Sequence, residues 1–123
     1  SWHNFKMTPN DKMLKDVLNK AKRSGAHLVK IATKANKEED LNRLMRFTIE
    51  NKSRNIITIS LGEIGSISRL TFPGLGSLIT YAYINKPSGL GQRTLDELRE
   101  HLRAYYPKYN QYYIIKSRTI EHA

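Results

Sequence analysis

The chain has 123 residues, 39% of them hydrophobic and 26% charged, with a formal net charge of +10 and no cysteine. That length and balance allow one domain with a buried core, and they exclude two domains as well as a disordered chain. Without cysteine there are no disulfides or thiolate metal sites, and no apolar run is long enough to span a bilayer, a combination that suits a cytoplasmic protein.

The charge admits nucleic acid, an anionic surface or an anionic small molecule as partner. Residues 1–54 carry 13 Lys+Arg against 6 Asp+Glu, and residues 55–123 carry 8 against 5. In the first half most lysines fall on the polar faces of two amphipathic helices, where solvated charge is ordinary, so the distribution disfavours nucleic acid. The four histidines, His3, His27, His101 and His122, show no ligand spacing, so neither a metal nor a cofactor is expected.

In chain order, Ser1-Trp2-His3-Asn4-Phe5 alternates like the end of a strand with nothing before it. A parallel α/β protein begins ahead of its first strand, so an upstream segment is expected to be missing. Thr8-Pro9-Asn10-Asp11 reads as a cap, a first-turn proline and an early acid; Leu14, Val17, Leu18 and Ala21 form the stripe of a helix that Gly25 stops. Residues 27–33 read as a strand. Asn36 with Glu39 opens a second helix, with Leu41, Leu44, Met45 and Ile49 on its apolar face. Residues 55–61, rich in Ile and Thr, read as another strand. A short helix is expected around Ile67–Phe72, interrupted by Pro73, then a strand over residues 78–84. After a loop over residues 87–91, Thr94 caps a last helix that runs to about Tyr105. Strands and helices alternating at this spacing predict parallel βα units.

Lys30 lies inside an otherwise apolar run, His27-Leu28-Val29-Lys30-Ile31-Ala32-Thr33. A buried ammonium is costly, so such a lysine either snorkels to water or tends to lose its proton. In the second case, with His3 to move protons, it has the equipment for Schiff-base chemistry on a ketone. Parallel α/β folds collect functional groups at the carboxyl ends of strands and in the loops that follow. That filter selects His3, Lys30, Arg69, Ser88 and Gln92: a base, an amine, an anion clamp and two neutral hydrogen-bonding groups. The set suits a small, oxygen-rich keto acid. Taken singly, His3 also fits the edge of a core and Arg69 a helix surface. Gly74-x-Gly76 and Gly89-x-Gly91 fit turns as well as phosphate loops. The cluster Tyr105, Tyr106, Tyr109, Tyr112 and Tyr113 fits either a packed tail or base stacking.

Five segments together match a family: Ser1-Trp2-His3-Asn4-Phe5 with Thr8-Pro9, Val29-Lys30-Ile31-Ala32, Ile57-Thr58-Ile59-Ser60, Ile67-Ser68-Arg69 and Ser88-Gly89-Leu90-Gly91-Gln92. From residue 1 to about 105 they resemble, in order and spacing, the C-terminal half of type I 3-dehydroquinate dehydratase. The resemblance implies a carbon–oxygen lyase of the shikimate pathway that dehydrates 3-dehydroquinate to 3-dehydroshikimate. It implies that Lys30 forms an imine with the substrate ketone and that His3 takes the C2 proton. It implies further that Arg69 holds the carboxylate and that Ser88 and Gln92 sit in a lid loop. Two departures are Leu61, where methionine is usual, and Leu90, where proline is frequent.

Members of this family are (β/α)8 barrels of on the order of 200 residues or more, and the glutamate that orients the histidine lies in their upstream half. The expected fold is therefore parallel βα units forming half of a TIM barrel over residues 1–105, with residues 106–123 as a linker, an added strand or the stub of a further domain. A flavodoxin-like open sheet is the alternative packing. A half barrel exposes two edges and an inner face, so a homodimer or completion by an N-terminal half is expected. Weak or absent activity alone follows from the missing glutamate. A basic nucleic-acid-binding module and a non-catalytic structural fragment are the competing readings.

Overall fold

The computed structural model describes residues 1–106 and the backbone of 114–116. Its elements are β1 (Trp2–Asn4), α1 (Asp11–Arg23), β2 (Val29–Lys34), α2 (Glu38–Glu50), β3 (Ile56–Leu61), α3 (Ser68–Thr71) with a 3-10 turn (Phe72–Leu75), β4 (Thr80–Ala82), α4 (Leu95–Tyr105) and β5 (Ile114–Lys116). Strands β1, β2 and β3 form a parallel sheet in sequential order, and β4 pairs in parallel with β5. No helix among the described residues is long and apolar enough to cross a membrane.

Alternation along the strands divides two layers. Val29, Ile31 and Ile56 point to one side, where Leu14 and Leu18 of α1, Leu44 and Phe47 of α2, and Phe72 close over them. Ala32, Ile57, Ile59 and Leu61 point to the other side and are joined there by Ile79 and Tyr81. Ala82 with Leu98 and Leu102 of α4 forms a third cluster. Both α1 and α2 therefore cover the same face of a sheet whose strand order never reverses. A flavodoxin-like sheet has a switch point and helices on both faces, so that alternative is not the one adopted. The parallel arrangement is consistent with half of a (β/α)8 barrel.

Several boundaries differ from the sequence reading, each for a local reason. The cap of α1 is Asn10, whose side chain accepts the Met13 N–H at 2.9 Å. Thr8 is instead buried, its hydroxyl 3.0 Å from that of Thr33 and donating to the Lys34 carbonyl at 2.9 Å. Gly25 follows α1 at φ +92°, a left-handed conformation suited to glycine. Strand β2 begins at Val29, whose N–H meets the Asn55 carbonyl, because His27 and Leu28 lie exposed in a bend. Helix α2 starts after Lys37, and the buried Asp40 accepts the N–H groups of Asn36 and Lys37 at 2.9 and 3.3 Å while pairing with Arg43 at 3.2 Å.

The strand expected over residues 78–84 is short because the chain before it serves β3. Ser77 Oγ accepts the Thr58 N–H at 2.9 Å, and Leu78 N–H donates to the Ile56 carbonyl at 2.9 Å. Farther along, Ser68 Oγ accepts the Ser60 N–H at 2.9 Å. Hydroxyl groups thus take two ladder positions on the free side of β3. After β4, Tyr83 is clasped by the start of α4, donating to Arg93 and accepting from Leu95. In the tail, residues 114–116 are an added strand beside β4. Tyr109, Tyr112, Tyr113 and His122 lie outside the described residues.

Candidate active site

The register of the sheet determines which side chains meet. His3 pairs with Ala32 in the β1–β2 ladder, and Ala32 is two residues beyond Lys30 on the same face. His3 and Lys30 thus project from neighbouring strands into the layer opposite α1 and α2. A cavity of about 280 Å³ opens there, lined by His3, Phe5, Lys30, Arg69, Tyr81, Ser88 and Gln92 among others. All five site residues selected from the sequence border it. A larger, mostly apolar cavity of about 660 Å³ lies between α3 and α4, away from Lys30 and His3.

Each member is held by its surroundings. Lys30 is half-buried, and its Nζ sits 4.3 Å from the centroid of the Tyr81 ring. Burial lowers its pKa below the ordinary lysine value, and the neighbouring Arg69 charge lowers it further. His3 stacks on Phe5 with ring centroids 5.6 Å apart and 17° between planes. Partial burial, then the charges of Lys30 and the amino terminus, lower its pKa below the usual imidazole value. Its neutral form, able to accept a proton, is therefore favoured near pH 7.

Arg69 is no surface residue: only 4% of it is exposed. Helix α3 is too short to carry it outward, and its Nη2 donates to the Leu90 carbonyl at 2.9 Å. Its Nε is buried with no hydrogen-bond partner among the described residues. Burial depresses its pKa to about 10, which leaves it cationic at neutral pH. Among the described residues no carboxylate pairs with Lys30 or Arg69. Two cations facing one cavity without an acid leave it electrostatically complementary to an anion.

The loop between β4 and α4 forms the cavity's rim. Gln92 Oε1 accepts the Ser88 N–H at 2.7 Å and the Ser88 hydroxyl at 3.2 Å, closing the turn. Gly91, at φ +76°, lies so close to the Gly62 carbonyl that a Cβ would collide with it. The rim is thereby seated on the loop that follows β3. Among the described residues no group of three His, Cys, Asp or Glu side chains converges to hold a metal ion.

Sequence reasoning missed Phe5 and Tyr81. Period-two alternation across the last expected strand would have placed Tyr81 on the Lys30 face, since Thr80 and Ala82 are the buried, helix-facing positions. An isolated aromatic in a short strand otherwise reads as core.

The family model for type I 3-dehydroquinase matches residues 1–108. A 3-dehydroquinate dehydratase from a Hydrogenobaculum species is 43% identical over 106 residues, covering 86% of this chain and 48% of that protein. The crystal structure of 3-dehydroquinate dehydratase from Geobacillus kaustophilus superposes with a TM-score of 0.79 at 32% identity, covering 85% of this chain and 43% of that one. A Clostridium difficile type I 3-dehydroquinate dehydratase with covalently modified comenic acid gives a TM-score of 0.75 at 31% identity, over 89% of this chain and 43% of that one. The chain thus spans about half the length of the curated relatives it matches. The family model, the curated relatives and the solved structures agree, and the chain belongs to the type I 3-dehydroquinase family.

Proposed function

We propose that residues 1–105 carry the C-terminal half of a TIM-barrel 3-dehydroquinate dehydratase site, with residues 106–123 as an extension. The observation that carries this reading is the shared cavity of Lys30, His3 and Arg69, which no acid among the described residues lines. Arg69, with a buried N–H left unpaired, receives the substrate carboxylate. Lys30 attacks the substrate ketone, the carbonyl oxygen leaves as water, and an iminium forms. The iminium acidifies the adjacent C2–H. The neutral His3 imidazole takes that proton, the electron pair passes into an enamine, and the C1 hydroxyl then leaves as water with the proton His3 returns. Hydrolysis of the imine releases 3-dehydroshikimate and restores Lys30. Ser88 and Gln92, on the rim, cover bound substrate and keep water from the imine.

An upstream half, or a second copy of this chain, completes the barrel, and the acid that orients His3 is the upstream half's to supply. The setting is cytoplasmic aromatic biosynthesis. Borohydride reduction in the presence of 3-dehydroquinate, followed by peptide mapping, tests the reading. The expected result is a reduced adduct on Lys30 that disappears in Lys30→Ala. A folded chain that gives no adduct at Lys30, alone or with its completing half, overturns it.

A further inference from the structure

We infer that Tyr81 is a positioning residue for Lys30, its ring face holding the side-chain nitrogen in place through the covalent step. The inference rests on the imine chemistry proposed for Lys30 and adds a role for a residue outside the set read from the sequence.

The geometry is that of a cation–π contact: the Lys30 Nζ lies 4.3 Å from the ring centroid, inside the ~6 Å reach of that interaction. Tyr81 sits on β4 at a position facing the inner layer, packed against Ala32, Ile57, Ile59 and Leu61. Lys30 reaches it from across the cavity, and no acid among the described residues competes for the ammonium. Burial raises the Tyr81 phenol pKa, so the ring bears a hydroxyl at neutral pH and acts as a π face, not as a phenolate partner.

The chemistry explains why a ring serves here better than a carboxylate. In imine formation R–NH3⁺ and O=C become R–NH⁺=C and H2O. A C–N double bond forms, a C=O bond breaks, two protons leave with the oxygen, and the charge stays at +1 on nitrogen. The nitrogen is neutral only in between, when it attacks. A carboxylate would hold the ammonium strongly and suppress that neutral amine, whereas a ring face holds cations weakly and leaves no charge behind. Burial and Arg69 favour the neutral amine. Tyr81 works modestly against them, aiming the nitrogen while it is charged and again once it is an iminium.

The test is pH-dependent acylation of Lys30 by acetic anhydride, read by peptide mass, in the parent chain, Tyr81→Phe and Tyr81→Leu. Loss of the ring removes stabilisation of the ammonium, so in Tyr81→Leu the midpoint moves to lower pH. The rate at pH 7 then rises about two- to fivefold, the factor expected for a partly exposed contact. Tyr81→Phe keeps the parent's midpoint. Easier access alone would scale the rates without moving the midpoint. A proton NMR measurement on the parent chain covers the case in which Tyr81→Leu does not fold: the Lys30 ε-methylene signals are expected upfield of their usual position, shifted by the ring current. Unshifted ε-methylene signals, or an unchanged midpoint in a folded Tyr81→Leu chain, overturn the inference. Neither readout uses 3-dehydroquinate. A missing borohydride adduct beside a Tyr81-dependent midpoint therefore overturns the catalytic reading and leaves this contact standing.

Discussion

Lys30 costs the fold stability. Its pKa is lowered first by burial and then by Arg69, so between that lowered value and the ordinary lysine value of 10.5 the unfolded chain binds the proton more than the folded one. Stability attributable to this group therefore rises with pH across that window, and at neutral pH the buried ammonium is a net burden. Lys30→Met keeps the length of the side chain and removes the charge. The expected outcome is a higher melting temperature than the parent at pH 7, with a gap that narrows as pH approaches 10.5; thermal unfolding followed by circular dichroism at several pH values checks it. How much of this site was legible in the sequence follows from the same residues. Alternation and strand ends were enough to nominate Lys30, His3, Arg69, Ser88 and Gln92 together, and the cavity borders all five. The burial of Arg69 was not legible, since a short helix ahead of a proline gives no stripe from which to tell an inward arginine from an outward one. Nor was the stacking of Phe5 on His3, because neighbours on one strand face cannot be told from the edge of a core without knowing what lies opposite.

The long helices could be read from their apolar stripes, and α4 ran from the expected Thr94 cap, whose side chain accepts the Glu97 N–H at 3.1 Å, to the expected Tyr105. Strand limits were harder, because hydrophobic runs overshoot where backbone groups find other partners. Leu78 and Ile79 look like strand, yet Leu78 belongs to the free side of β3. Likewise the cap of α1 passed from Thr8 to Asn10 once the Thr8 hydroxyl was engaged by β2. The serines beside β3 are the least obvious part of the design. Ser68→Ala and Ser77→Ala each strip the acceptor from a buried strand N–H. Each is expected to lower stability by about 1–3 kcal/mol, measured by urea denaturation. A loss below a few tenths of a kcal/mol would show that water replaces the hydroxyl at no cost.

At the scale of the whole molecule, the inner layer is thin. Four small-to-medium apolar side chains, Ala32, Ile57, Ile59 and Leu61, form the buried part of the layer beside the cavity of Lys30 and His3. The proposed pairing of two copies over this layer predicts that sedimentation of the isolated chain gives a dimer, whereas a compact monomer across micromolar concentrations would count against it. The net charge of +10 adds long-range attraction for anions and repulsion between copies, so association is expected to strengthen as salt screens the repulsion. The hydroxyls on β3 also bear on how such a chain survives in concentrated solution. A strand whose outward N–H groups are already occupied offers little template for cross-β growth, even though its residues 56–61 are rich in isoleucine and threonine.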